Sequence, residues 1–269
     1  MRMFILLAAV GGATVAFGPG LSAPAVPAGA QDSDFQWRGR IARGKTLEIY
    51  GVSGNVRAEL ASGPEVEVRA SKRARRSDPN EVELEVVPHD GGVTICAVYP
   101  TPRRSRQPNE CRPGGGNSST DNNDTEVSWT IRVPAGVNFD GHTVNGDVIV
   151  LSLASDVRAG TVNGDVEVST SGVAEGTTVN GSVRATMGRA DWTGAMKFSS
   201  VNGGITVEVP GDLNADIEAS TVNGGIETDF PITVRGRFMN RRMSGRVGNG
   251  GRTLEMETVN GSIRLRKTG

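Results

Sequence analysis

Thr143-Val144-Asn145-Gly146-Asp147-Val148 decides how this chain of 269 residues is read, because the same phrase returns at residues 161–166, 178–183, 200–205, 221–226 and 258–263. In every copy Thr or Ser is followed by Val-Asn-Gly, one variable residue, and then Val or Ile. The asparagines Asn145, Asn163, Asn180, Asn202, Asn223 and Asn260 are 18, 17, 22, 21 and 37 positions apart. The last interval is close to two ordinary ones, and Gly248-Asn249-Gly250-Gly251 inside it reads as a degenerate copy.

β-Branched residues favour short strands on either side of the phrase, and glycine lets the backbone turn where a side chain would resist. An isolated Asn-Gly pair signals a two-residue hairpin. A hairpin meander turns about every 8 to 12 residues, however, and gives no reason for one phrase to recur only at every second or third turn. A coil of about 20 residues does, since each lap returns the phrase to one azimuth and stacks like residues at about 4.8 Å. The repeat therefore predicts an all-β solenoid with Asn145-Gly146, Asn163-Gly164, Asn180-Gly181, Asn202-Gly203, Asn223-Gly224 and Asn260-Gly261 as stacked corners. In that geometry Val144, Val162, Val179, Val201, Val222 and Val259 form one inward column, and Val148, Val166, Val183, Ile205, Ile226 and Ile263 form a second. The asparagines between them are expected to hydrogen-bond along the axis or to corner backbone groups.

Upstream, residues 46–50, 55–60, 65–70, 81–87, 93–99 and 127–133 alternate apolar and polar side chains and read as half-buried strands. Val52-Ser53-Gly54-Asn55-Val56 reads as a first, diverged rung. Residues 31–136 are thus a less regular β-rich part continuous with the repetitive solenoid at 137–269. Inside it, residues 101–125 are poor in apolar side chains, carry Gly114-Gly115-Gly116, and read as a mobile surface loop. Arg264, Arg266 and Lys267 follow the last copy and read as a charged guard on the terminal strand edge.

Met1 and Arg2 precede an apolar run, and Ala28-Gly29-Ala30 has the small residues of a cleavage site, which predicts a signal peptide over 1–30 removed before Gln31. The run is shorter than the roughly 20 residues that cross a bilayer. The mature chain is accordingly expected in the periplasm, outside the cell or at its surface, without a transmembrane segment. Cys96 and Cys111 are the chain's 2 cysteines. In an oxidising compartment they are expected to form a disulfide.

The Val133-Pro134-Ala135-Gly136-Val137 lead-in, the six-copy array, and Gly245-Arg246-Val247-Gly248-Asn249-Gly250-Gly251 before the last copy resemble the bacterial putative-adhesin family also called Toastrack, related to auto-transporter adhesin heads. The resemblance implies a single-stranded, right-handed β-helix at the cell envelope, in some relatives attached to envelope-stress sensing. It carries over no catalytic residues.

A net charge of -1 gives no general attraction to phosphate backbones, so nucleic acid is not expected as a partner. Calcium would need six to eight oxygen ligands, yet the acid that follows Asn-Gly in two copies, Asp147 and Asp165, is replaced by Ser182, Gly204, Gly225 and Ser262. His89 and His142 stand apart from other ligand types. No catalytic, metal or cofactor-binding set emerges, and no cofactor is expected. Repetition without a reactive constellation points to a non-enzymatic envelope protein that presents a rigid face to a surface protein or glycan. One rival is a polysaccharide-active β-helix, which would bring acids, or an acid with Arg or Lys, together in a cleft. The other is an envelope-stress component.

Overall fold

The computed structural model describes residues 33–234 and 241–268. The expected signal peptide at 1–30 and its cleavage site lie outside the described residues. Each coil gives one strand to each of two facing sheets. The strands before the corners, among them Asn138–His142, Val157–Gly160, Ala174–Thr177 and Ala195–Ser199, lie in the leading sheet. The strands after the corners, among them Val148–Leu153, Val166–Thr170, Val183–Met187 and Ile205–Val209, lie in the trailing sheet. Pairing is parallel and in register, so Val148, Val166, Val183 and Ile205 stand over one another and are buried. Phe139, Phe198 and Leu254 of the leading sheet are buried in the same core. Ile226, at the sheet edge, is half-buried.

Val52-Ser53-Gly54 forms a further corner beneath the first repeat: Ser53 bridges Asn145, and the Gly54 N–H donates to the Asn145 carbonyl at 2.8 Å. Antiparallel strands close both ends of the parallel stack. Val66–Arg73 and Ser33–Gly39 cover one end of the trailing sheet, Glu83–His89 covers the same end of the leading sheet, and Arg242–Val247 covers the other. A helix long and apolar enough to cross a membrane is absent among the described residues.

The corner geometry corrects one expected column. Val144, Val162, Val179, Val201, Val222 and Val259 face solvent rather than the core. The inward place belongs to the preceding hydroxyl residue: Thr143, Thr161, Thr178, Ser200, Thr221 and Thr258 are buried. Each hydroxyl donates to a corner glycine carbonyl of the adjacent coil, as in Thr178 to Gly164 at 2.9 Å and Ser200 to Gly181 at 2.8 Å. Valine cannot satisfy that carbonyl, so Thr or Ser takes the inward site and valine turns out. The asparagines do stack, with the Asn163, Asn180 and Asn202 side-chain amides donating to the amide oxygen of the coil before at 2.7–2.8 Å.

The order of the last two coils is inverted. Asn202 bridges Asn260, and the Asn223 amide donates to Asn260 at 2.7 Å, so the final coil is inserted before the penultimate one. Gly248-Asn249-Gly250-Gly251 is therefore no corner. It is the turn after Arg242–Val247 from which the chain re-enters the stack, with Asn249 N–H held by Asn214 at 2.8 Å. For the same reason Arg264, Arg266 and Lys267 guard no edge: Ile263–Lys267 is an interior strand, and the edge is the short strand Ile226–Thr228. Arg266 instead binds Asp229 and Glu227 beside it.

Residues 101–125 include regular structure. They contain the hairpin Glu110–Arg112 and Gly115–Asn117, and Asn109 ties the segment to Tyr99, Ser119 and Thr101. A disulfide joins Cys96 in the strand Gly92–Val98 to Cys111 in that hairpin, with Cα atoms 5.7 Å apart.

Replacing Thr178 with Val should destabilise the chain by about 1–2 kcal/mol in urea unfolding, because a part-buried carbonyl loses its donor, while Thr178→Ser should cost less. Reducing the Cys96–Cys111 bridge should lower stability by up to about 3 kcal/mol, the loop-closure value for this span, read as a lower melting temperature in reductant.

Candidate interaction surface

Two surfaces rise from this fold. The first is the corner ridge. The turn that points the hydroxyls inward points the next valine outward, and stacking repeats that choice in every coil. The six valines are 37–51% exposed and form a continuous apolar line flanked by the asparagine ladder. The residue after Asn-Gly adds a third line: the Asp147 carboxylate accepts from Asp165 N–H at 2.8 Å, and the Asp165 carboxylate accepts from Ser182 N–H at 2.7 Å. These aspartates thus hold backbone donors of the next coil. A shallow groove of about 560 Å³ runs beside Val179, Val201, Val222 and Val259, with Lys197 and Glu257 on its far wall.

The second surface is the outer face of the leading sheet. Parallel registry places Glu48, Asp140, Arg158 and Glu175 in one row and Tyr50, His142, Gly160 and Thr177 in the next. Arg158 binds Glu175 at 2.9 Å and approaches Asp140 at 3.8 Å. His142 Nε2 lies 2.5 Å from Asp140, and its ring stacks on Tyr50 with centroids 5.2 Å apart. Gly160 makes that ring position possible: a Cβ there would sit 2.5 Å from the His142 imidazole. Glu48 is held by the Thr94 hydroxyl at 2.6 Å and the Gly114 N–H at 2.7 Å, which pins the disulfide-bearing hairpin to this face.

One end of the first row opens into a cleft. Ala174–Thr177 and Ala195–Ser199 pair only through Gly176 with Phe198 and Thr177 with Ser199. Residues before Ala195 wedge the strands apart, with Trp192 buried and its indole donating to the Thr253 carbonyl at 3.1 Å. The resulting cavity of about 480 Å³ is lined by Asp140, Arg158, Glu175, Trp192 and Met196 among others. Its mark in the sequence is the longer interval of 22 residues between Asn180 and Asn202.

The structure brings the expected corner asparagines together in one ladder and Cys96 onto Cys111. His89 and His142 belong to different parts of the leading face. His89 hydrogen-bonds Thr94 at 3.1 Å, and no cluster of metal-ligating side chains occurs among the described residues. Sequence reading missed both the outward valines and the cleft.

Residues 142–266 match the family model Toastrack DUF4097. No curated protein matches the chain. Among solved structures it is similar to a "putative cell adhesion protein" from Clostridium sporogenes, at 13% identity and a TM-score of 0.48, covering 88% of this chain and 100% of that one. It is also similar to a "putative adhesin" from Bacteroides fragilis, at 11% identity and a TM-score of 0.31, covering 88% of this chain and 97% of that one.

The chain's 2 tyrosines should report this packing. Burial, then the Asp140 and Glu48 carboxylates, push the Tyr50 phenol well above its ordinary range. Burial pushes Tyr99 up to about 12, and its hydroxyl donates to the Thr125 carbonyl at 2.6 Å. Above pH of about 10 the unfolded chain loses phenol protons that the folded chain keeps, so stability should fall as pH rises from there through the folded values. An absorbance titration of the folded protein should show no phenolate near pH 10, and alkaline unfolding should coincide with its appearance.

Proposed function

We propose, from the match of residues 142–266 to the Toastrack family model, that this chain is a non-enzymatic, exported envelope protein that binds a surface protein or glycan through the valine ridge. The observation that carries this reading is the repeated choice of valine at an outward position. A solvent-facing site in a strand or corner tolerates polar residues at little cost, yet valine stands there in all six copies. Continuous exposed apolar lines of this kind mark contact surfaces. The asparagine ladder on one side and the bonded hydroxyl column on the other make the ridge stiff, so a partner meets it without an ordering cost in the solenoid. The disulfide fits an oxidising compartment.

The cleft beside Trp192 supports a second reading, a polysaccharide-active solenoid, because it gathers Asp140, Arg158 and Glu175. Arg158 engages both carboxylates, so a sugar would have to displace that guanidinium before either acid reached it.

The triple variant Val179→Thr, Val201→Thr, Val259→Thr separates the readings. Each change keeps the β-branched shape, and surface changes of this kind shift stability by roughly 0.5 kcal/mol or less. Retention of an envelope component, or of a glycan on an array, should weaken at least about tenfold relative to wild type. Equal retention by both proteins defeats the ridge. Polysaccharide cleavage by wild type that is lost in Glu175→Gln establishes the cleft reading instead.

A further inference from the structure

The asparagine ladder has an open end, and its chemistry differs there. Asn-Gly is the peptide sequence in which a backbone nitrogen most readily reaches the preceding side-chain carbonyl, since glycine offers no side chain in the way. Such an intramolecular attack depends on bringing the two atoms within about 3–3.5 Å in line. In the Asn163-Gly164 and Asn180-Gly181 pairs both atoms are committed elsewhere. The Gly164 N–H donates to the Asn180 carbonyl at 3.0 Å and the Gly181 N–H to the Asn202 carbonyl at 3.1 Å. The Asn163 and Asn180 carboxamides each donate to the coil before and accept from the coil after.

Asn223 is the last rung. Its amide donates to Asn260, and its backbone carbonyl accepts from the Gly261 N–H at 3.0 Å, but among the described residues no further rung faces its carboxamide oxygen or the Gly224 N–H. The site is also more open than its counterparts. Val222 is the most exposed of the six valines at 51%, and a Cβ on the next glycine, Gly225, would meet nothing within 4 Å.

We propose that Asn223-Gly224 is a site of spontaneous covalent modification, and that the ladder shields Asn163-Gly164 and Asn180-Gly181 from the same reaction. The Gly224 nitrogen bonds to the Asn223 Cγ, and the Cγ–Nδ2 bond breaks. The side-chain nitrogen leaves as ammonia, carrying the proton lost by Gly224. Water then opens the cyclic imide at either carbonyl, giving aspartate or isoaspartate. No oxidant or cofactor takes part. The product replaces the terminal amide with a carboxylate that has no proton to donate to Asn260.

Peptide mapping by mass spectrometry on the folded chain, aged in mildly alkaline buffer, tests this, with the urea-unfolded chain as reference. The unfolded chain should convert all three pairs at similar rates. In the folded chain, conversion at Asn163 and Asn180 should be at least about tenfold slower than at Asn223, since ladder hydrogen bonds must break first. Conversion at Asn163 or Asn180 as fast as at Asn223 overturns the proposal, and so does a folded chain in which Asn223 stays intact while the unfolded chain converts there.

Discussion

Coil lies on coil at the corners because glycine allows backbone to touch backbone. A Cβ on Gly181 would fall 1.9 Å from the Gly164 carbonyl oxygen, and one on Gly261 would fall 2.1 Å from that of Gly203. Any side chain there would hold neighbouring laps apart by more than the strand spacing, and the parallel pairing of both sheets would be lost together. The buried hydroxyls and stacked amides depend on that approach. A threonine reaches the neighbouring glycine carbonyl, and one carboxamide the next, only when the corners are in contact. The repeat phrase is therefore one device: glycine sets the distance, the hydroxyl residue and asparagine satisfy the polar groups that the contact exposes, and valine is left to face outward.

Much of this was legible from the residues. The stacked Asn-Gly corners, the two-cysteine staple and the inward column from Val148 to Ile263 follow from spacing and alternation. The inward assignment of the six corner valines failed because it gave Val144 the same facing as Val148, four residues on and across the corner. A tight turn shifts the in-out parity. Carried forward from Phe139, which is buried, the same alternation puts Thr143 inside and Val144 outside. The restriction of the first position to Thr or Ser was the unused signal, since a solvent-facing site rarely demands a hydroxyl. The cleft was less legible: the interval between Asn180 and Asn202 shows that residues are added, but not that they pry two strands apart. The inverted order of the last coils had no local signature, because residues 221–226 and 258–263 carry the same phrase and either suits either berth.

The two surfaces answer different physical demands. On the leading face, charged residues alternate with polar ones and are tied by pairs such as Arg158 with Glu175 and Lys197 with Glu257, which at this exposure add little to stability. They keep a broad sheet wet and discourage unselective stacking. The ridge carries no such charges at its valine positions, so apolar contact is concentrated along one line of an otherwise hydrated solenoid.

The inverted coils also bear on how the molecule is made. Synthesis delivers Ala215–Asn223 before Thr253–Asn260, yet the finished stack has the later strand beneath the earlier one. A nascent chain growing lap by lap reaches Ala195–Ser199 and finds its proper upper neighbour still unmade. The penultimate lap must either stand off or occupy the vacant berth and later yield it. Completion thus waits on residues 253–267, which cannot be removed without emptying an interior berth of the stack.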